Sequence, residues 1–159
     1  MSNDNLILHH FSRNEFGPTD HRNEDWWEAM APDLLTRLDV FRSLWDRPVI
    51  VSGHARALGR RSGNPDSDHA VETRGAVHAA DVFLAGLDSQ RGAERAKEIA
   101  ELVGMGSIGL YPDWSRPGLH LGIRPGRGGP RGMATWGAVL LDGRQEYVSW
   151  GRALEGLRK

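Results

Sequence analysis

The chain has 159 residues, a length that suits one domain built around a single hydrophobic core. Its 20 lysines and arginines nearly balance its 21 aspartates and glutamates, which argues against nucleic acid or a membrane surface as a general partner. Because no cysteine is present, disulfides and thiolate metal sites are excluded, and any metal must be held by His, Asp or Glu. The 20 glycines favour a loop-rich fold over a helical bundle.

Residues 1–10 are predicted to form a polar arm, which Phe11 and Phe16 anchor on the core. The first residues lack a basic segment followed by a long apolar run, so we expect synthesis in the cytoplasm without a signal peptide. No apolar stretch reaches the roughly 20 residues needed to cross a bilayer, and no membrane span is predicted.

Two helical segments follow from apolar periodicity. Residues 32–46 place their apolar side chains on one face, with Pro32 in the first turn, where proline is tolerated. A short helix over 24–30 is expected before it. The second segment begins after Ser89, a good N-cap, and runs to about Val103.

Short apolar runs bounded by Gly and Pro predict the strands. These runs lie at 48–53, 76–84, 107–111 and 119–123. A hairpin within 138–150 is expected to turn at Asp142-Gly143, and a last short helix follows at 150–157.

Two segments have no apolar periodicity. Residues 54–75 are rich in Arg and Gly, and long loops of this kind in compact domains are commonly functional. Residues 124–132 contain mainly Gly, Arg and Pro, which predicts a mobile loop. Arg/Gly segments can bind RNA, but this one is short and has no interleaved aromatic residues. A plain loop is therefore favoured, and no nucleic-acid partner is predicted.

Three residues from separate segments have the chemistry of a metal site. His69 lies in the first of these loops, Asp81 ends a small apolar run, and His120 lies on the predicted strand 119–123. Two imidazoles and one carboxylate can hold zinc and leave its fourth position open, as hydrolytic zinc sites require. His78 is an alternative first ligand. It precedes Asp81 by three residues, which on a strand places the two side chains on opposite faces and favours His69.

Five phrases of the chain occur in a recognisable order. They are Phe-Ser-Arg-Asn-Glu-Phe at 11–16, Val-Ile-Val-Ser-Gly at 49–53, Ser-Asp-His at 67–69 with Ala-Ala-Asp at 79–81, Ile-Gly-Leu-Tyr-Pro at 108–112, and Gly-Leu-His-Leu at 118–121. In this order they resemble the zinc D-Ala-D-Ala peptidase family, the M15 peptidases, and its relatives. The likeness covers roughly residues 10–125, and the long loop before Asp81 is more similar to phage-encoded relatives.

The resemblance implies an α+β fold over 1–159, in which a small antiparallel sheet with flanking helices, of the DD-peptidase type, carries the metal site. It matches the zinc ligands of the family to His69, Asp81 and His120. The implied activity is hydrolysis of peptide bonds in peptidoglycan stem peptides, by a carboxypeptidase or an endolysin-like endopeptidase. Such an enzyme would act at the cell wall or from a phage virion.

Two departures from the family pattern concern catalysis and spacing. Eleven residues separate His69 from Asp81, more than the family usually has, although a longer loop costs little free energy. Relatives carry a catalytic carboxylate three residues before the last histidine or two residues after it, where this chain has Pro117 and Gly122. A peptidase still needs a general base and a general acid. The other candidates for that role are Asp113, His78 and Glu72.

The segment after Ser52-Gly53 contains candidates for substrate binding. In the family, an arginine near this point pairs with a substrate carboxylate, a task that suits the planar guanidinium. Arg56 and Arg60 lie in this segment, and Tyr111 is a candidate wall of the cleft. The lack of a carboxylate at positions 117 and 122 supports an alternative function: a non-catalytic, metal-binding structural or virion protein that keeps the peptidase fold.

Overall fold

The computed structural model describes residues 2–123 and 132–159, which form a mixed α+β fold. The helices are α1 (Pro32–Trp45), α2 (Val71–Arg74), α3 (Gln90–Leu102) and α4 (Trp150–Leu154). The strands are β1 (Val49–Val51), β2 (Ala79–Leu84), β3 (Ser107–Tyr111), β4 (Gly118–Gly122), β5 (Ala134–Leu141) and β6 (Arg144–Val148). Short 3-10 helices cover Asn3–Asn5, Arg13–Phe16 and Trp27–Ala29. Among these described helices, none is long and apolar enough to cross a membrane.

The six strands form one sheet in the order β1-β2-β4-β3-β5-β6. The small antiparallel sheet that the resemblance implies is antiparallel in four neighbouring pairs, but β3 and β5 run parallel. The reason lies at the end of the sheet where β3 begins, because Ser107, the first residue of β3, pairs with Gly122 at the end of β4 and with Ala134 at the start of β5. The chain therefore leaves β4 and enters β5 at this same end of the sheet. Because β5 and β3 both begin there, they run in the same direction. Apart from Gly132, the predicted loop over 124–132 lies outside the described residues.

One face of the central strands packs against helices. Side chains alternate along a strand, so Val82 of β2 and Leu119 and Leu121 of β4 point to one side, where all three are buried. The same core contains the apolar faces of α1 and α3, formed by Leu34, Leu38, Phe41, Trp45, Ala93, Ala96, Ile99 and Ala100. The other face of these strands is therefore available for polar side chains.

Local signals account for the ends of several elements. Pro32 opens α1, and Ser89 Oγ accepts a hydrogen bond from the Gly92 N–H at the start of α3. Asp142 and Gly143 have φ angles of 50° and 75°, as the two-residue turn between β5 and β6 requires. The short helix expected over 24–30 is limited to the 3-10 turn at Trp27–Ala29.

The N-terminal arm is held by Asp39, a buried residue of α1. Its carboxylate accepts hydrogen bonds from the backbone N–H groups of His9 at 3.0 Å, His10 at 2.8 Å and Phe11 at 3.0 Å. Phe11 and Phe16 are buried, as expected of anchors. Hydrogen bonds to an ionised group are stronger than neutral ones, so a single side chain fixes the path of three arm residues.

Arg22 connects the arm to the end of β1. It is 2% exposed, and its guanidinium donates to the carbonyl oxygens of Gly17 at 2.8 Å, Ser52 at 2.7 Å and Glu15 at 3.1 Å. Burial lowers the pKa of Arg22, because it disfavours the charged form. The loop that leads to His69 begins at Ser52, so Arg22 anchors the start of that loop.

Candidate metal centre

The sheet face opposite the helical core carries two of the predicted metal ligands. Asp81 of β2 is directly paired with His120 of β4, and the same cross-strand row continues through Gly109 of β3 to Trp136 of β5. Asp81 and His120 each lie between core-facing residues of their own strand, so strand alternation turns both side chains to the other side. Strand pairing alone therefore brings a carboxylate and an imidazole together.

His69 approaches this pair from the loop between β1 and β2. It is 2% exposed, and its Nδ1 contacts the carbonyl oxygen of Leu58. Its backbone N–H donates to Ser67 Oγ at 3.2 Å, and its carbonyl oxygen accepts from the Arg60 N–H at 2.7 Å. Since a carbonyl oxygen can only accept, these contacts place the imidazole proton on Nδ1 and turn the Nε2 lone pair toward the sheet.

The long loop is also tied to the sheet through its backbone. The Asp81 N–H donates to the Ala57 carbonyl oxygen at 2.8 Å. The eleven residues between His69 and Asp81 include the one-turn helix α2, which ends at Gly75 with a φ angle of 74°. The additional length therefore forms a local helical turn, while His69 Nε2 stays 3.5 Å from Asp81 Oδ1.

Three atoms of ligand type meet on this face. His69 Nε2 lies 3.1 Å from His120 Nδ1 and 3.5 Å from Asp81 Oδ1. Asp81 Oδ1 lies 3.2 Å from His120 Nδ1. The structure thus brings together the predicted ligands His69, Asp81 and His120 as a group that can hold a metal ion. His78, the alternative first ligand, is not part of this group.

The donor atoms fit a metal in two respects. Zinc bonds to nitrogen and oxygen of about 2.0–2.2 Å, arranged as a tetrahedron, separate ligand atoms by roughly 3.3–3.6 Å. The distances of 3.1, 3.2 and 3.5 Å are close to that spacing. In addition, the lone pairs of His69 Nε2 and Asp81 Oδ1 converge, and a cation between them relieves their repulsion. Two imidazoles and one carboxylate bind zinc and also ferrous iron, so this donor set supports a metal site of either kind.

Asp81 is held in the ionised form by its neighbours. Its burial raises the pKa of the carboxyl group, because burial disfavours charge, but the contacts with His69 and His120 outweigh this effect. The net result is a pKa of Asp81 well below its usual range. Asp81 is therefore a carboxylate near neutral pH, which is the form that binds a metal.

Two polar side chains beside the ligands were missed by the sequence analysis. Asp68 Oδ2 lies 4.0 Å from His120 Nε2, and Ser107 Oγ donates to the same Asp68 oxygen at 3.5 Å. Ser107 is paired with Gly122 across β3 and β4, so alternation along β3 was a usable signal for its position. Asp68 precedes His69 directly in the loop, and no local periodicity indicates where its side chain points.

The ligand atoms open into a cleft of about 350 Å³. A second groove of about 640 Å³ adjoins it, and Arg60, Asp81, Tyr111 and Tyr147 line both. The groove is lined by the first part of the loop between β1 and β2, including His54 and Arg56, and by Phe83 and Trp114. The two volumes together are large enough for an extended ligand that passes the three ligand atoms.

A glycine allows an aromatic ring to lie across this face. A Cβ atom at Gly109 would lie 2.6 Å from the Trp136 ring, so Trp136 covers β3 only because position 109 is glycine. The Trp136 ring thereby comes within 5.1 Å of the His120 ring. On the groove side, the Tyr111 and Trp114 rings stack at 4.2 Å, and burial raises the pKa of Tyr111. The cleft thus has aromatic walls at Tyr111, Trp136 and Tyr147 beside its charged and polar lining residues.

Two of the three predicted acid–base candidates make contacts elsewhere. Asp113 accepts the backbone N–H of Leu140 at 2.7 Å, and Glu72 lies 3.6 Å from Arg61. The Nδ1 atom of His78 is buried and has no hydrogen-bond partner within the described part of the chain. None of the three is among the described residues that line the cleft or the groove.

The three predicted substrate-binding residues lie on the ligand side. Arg56 lines the groove, whereas Arg60 and Tyr111 line both the groove and the cleft. The Arg60 Nε atom is buried and finds no hydrogen-bond partner among residues 2–123 and 132–159. Arg60 therefore lies at the junction of the two volumes.

No protein-family model, no curated protein and no solved structure matches this chain. The M15 resemblance therefore stays a prediction from the motifs. The three ligand residues and the cleft around them are the features of the molecule that bear on its function.

Proposed function

We propose that this protein is a zinc-dependent peptidase that hydrolyses peptide bonds in peptidoglycan stem peptides. The observation that carries the proposal is the group of three ligand atoms, 3.1 to 3.5 Å apart, at the wall of a cleft. A site with three protein ligands keeps one position for water or substrate, as catalytic zinc sites do. Zinc held by His69, Asp81 and His120 would supply the Lewis acidity that polarises a scissile carbonyl and activates water.

The residues of the chain have separate tasks in this proposal. The Leu58 carbonyl holds the proton of His69 at Nδ1, so His69 presents Nε2 to the metal. Asp81 supplies the negative charge, and His120 presents Nδ1. Trp136 lies beside His120 and shields that side of the site from water.

The groove supports a peptide as the substrate. A guanidinium at the junction of cleft and groove, such as that of Arg60, can pair with a substrate carboxylate, and stem peptides carry several carboxylates. Arg56 lines the groove further along, and the stacked rings of Tyr111 and Trp114 offer an apolar wall. The choice of peptidoglycan rests on the five ordered phrases and implies action at the cell wall or from a phage virion.

A second candidate function is a non-catalytic metal-binding structural protein, such as a virion component. One observation favours it: Pro117 and Gly122 provide no carboxylate. Moreover, none of the predicted acid–base residues is among the described residues that line the cleft. Peptide hydrolysis needs a group that takes a proton from water and returns one to the leaving amine. A protein without such a group would bind metal and leave peptides intact.

Metal content followed by digestion separates the two functions. The purified protein is analysed for zinc and iron, because the same ligand set also forms ferrous sites. Peptidoglycan is then incubated with the parent and with His120→Ala, and released peptides are identified by mass spectrometry. The peptidase proposal expects stoichiometric zinc and new peptide termini in the parent, and the loss of both in the variant.

Two other outcomes decide against the proposal. Zinc without cleavage by the parent identifies the structural alternative, and the absence of any bound metal rejects both functions. His10→Ala is the matched control, because the His10 side chain is exposed on the arm. It should retain the zinc and the activity of the parent.

A further inference from the structure

His120 has one ring nitrogen that the metal site does not use. Its Nδ1 faces Asp81 and His69, and its Nε2 is buried without a hydrogen-bond partner among the described residues. His120 is only 7% exposed, so water has little access to replace the missing hydrogen bond of this nitrogen. The Asp68 carboxylate lies 4.0 Å from this nitrogen.

Gly122 opens the space in which these groups face each other. A Cβ atom at position 122 would lie 3.2 Å from Asp68 Oδ2 and 3.3 Å from His120 Nε2, and it would collide with Ser107 Oγ. Any larger residue would therefore occupy the region between the carboxylate and the imidazole. Ser107 Oγ donates to the same Asp68 oxygen at 3.5 Å, which orients the carboxylate toward this space.

We propose that Asp68 is a positioning residue, whose carboxylate accepts the Nε2–H of His120 and so turns the Nδ1 lone pair toward the metal. This inference rests on the proposed metal function of the site. Metal-binding histidines almost always donate their other N–H to a carboxylate, a carbonyl or water. His69 has such a partner in the Leu58 carbonyl, and Asp68 gives His120 the equivalent partner. A shift of the Asp68 side chain beside Gly122 shortens the distance between Asp68 Oδ2 and His120 Nε2 from 4.0 Å to the roughly 2.8 Å of a charge-assisted hydrogen bond.

Zinc affinity tests this role without reference to activity. The dissociation constant is measured by competition with a chromophoric chelator for the parent and for Asp68→Asn. Loss of a carboxylate partner of a metal-bound histidine typically weakens metal binding about 10- to 100-fold. Asp68→Glu keeps a carboxylate and should recover much of this loss, which a purely structural role of Asp68 would not explain.

Asp66→Asn is the matched control, because Asp66 lies on the same loop and lines the same cleft. It removes the same charge from the same volume, and we expect the zinc affinity to stay at the parent value. Equal weakening by both variants would attribute the effect to charge alone and overturn the proposal. Unchanged affinity in Asp68→Asn would overturn it as well, whereas a parent that binds no zinc would reject the proposed function itself.

Proton NMR of the zinc-loaded protein provides a second, independent readout. In the parent, a hydrogen bond to Asp68 should move the His120 Nε2–H resonance downfield and protect it from exchange with water. In Asp68→Asn, the resonance should move upfield and exchange faster. A parent resonance that the substitution leaves in place would show that Asp68 does not accept this proton.

Discussion

Asp81 Oδ1 and His120 Nδ1 lie 3.2 Å apart because their residues are directly paired across β2 and β4. The apolar residues on either side of Asp81 and His120 fix which face of each strand is buried, since a one-residue slip of either strand would turn its ligand into the apolar core. His69 lies on the loop between β1 and β2, and backbone hydrogen bonds of that loop hold it next to this pair. The site thus combines two ligands on rigid strands with one ligand on a loop.

Zinc is expected to raise the melting temperature of the parent but not that of Asp81→Asn. A ligand that binds only the folded state, at a concentration 100-fold above its dissociation constant, adds about 2.7 kcal/mol of stability. For a chain of this size each kcal/mol corresponds to roughly 2–4 °C, which calorimetry with zinc or with EDTA can detect. Asn keeps the shape of Asp81 but not its charge. Asp20→Asn, at an exposed position, should respond to zinc like the parent; an equal response in Asp81→Asn would contradict the ligand assignment.

Arg22→Ala should destabilise the fold by roughly 2–4 kcal/mol, because two buried carbonyl groups and one partly buried carbonyl group lose their donor. Arg22→Lys should recover only part of this loss, since an ammonium group cannot reproduce the planar fork of the guanidinium. Chemical denaturation measures both variants. Arg91→Ala, an exposed substitution on α3, is the control and should change the stability by less than about 0.5 kcal/mol. An unchanged denaturation midpoint in Arg22→Ala would refute the anchoring role of Arg22.

Asp39→Ala should release the N-terminal arm from α1. Three backbone N–H groups, those of His9, His10 and Phe11, lose an ionised acceptor, and we expect a loss of about 1–3 kcal/mol. Hydrogen exchange measured by mass spectrometry should show faster exchange in the arm than elsewhere. Asp33→Asn is the control on the same helix, because its ion pair with Arg37 is largely exposed and contributes little. Uniform protection of the arm in Asp39→Ala would argue that apolar contacts alone hold it.

Asp81 and His120 could be named from the sequence because each is a polar residue of a metal-ligand type within a short apolar run that predicts a strand. Apolar residues at alternate positions, such as Val82 on β2 and Leu119 and Leu121 on β4, mark the core face and thereby the opposite, polar face. The ends of α3 and the turn at Asp142-Gly143 were predictable for a similar reason, since capping and turn chemistry are local. The predicted cap at Ser89 and the predicted turn at Asp142-Gly143 are confirmed.

The surroundings of the ligands could not be predicted in this way, because they depend on contacts between distant parts of the chain. The Leu58 carbonyl that orients His69 belongs to another part of the loop. Asp68 faces His120 across a space that exists because residue 122 is glycine. The parallel pairing of β3 with β5 depends likewise on where the chain re-enters the sheet. Periodicity is a property of a single helix or strand and contains no information on contacts between segments that are distant in the sequence.

Gly109→Ala should move Trp136 away from His120, because the added methyl group would lie 2.6 Å from the indole ring. Overpacking of this kind typically costs about 1–3 kcal/mol, which denaturation and tryptophan fluorescence can measure. In a Trp136→Ala background the same change should cost much less, since the clash is gone, and the difference is the coupling energy of the pair. Gly151→Ala is the control: no atom outside its immediate chain neighbourhood lies within 4 Å of its added Cβ, and alanine favours the helix there. If Gly109→Ala costs the same with and without Trp136, the ring is not what requires glycine at this position.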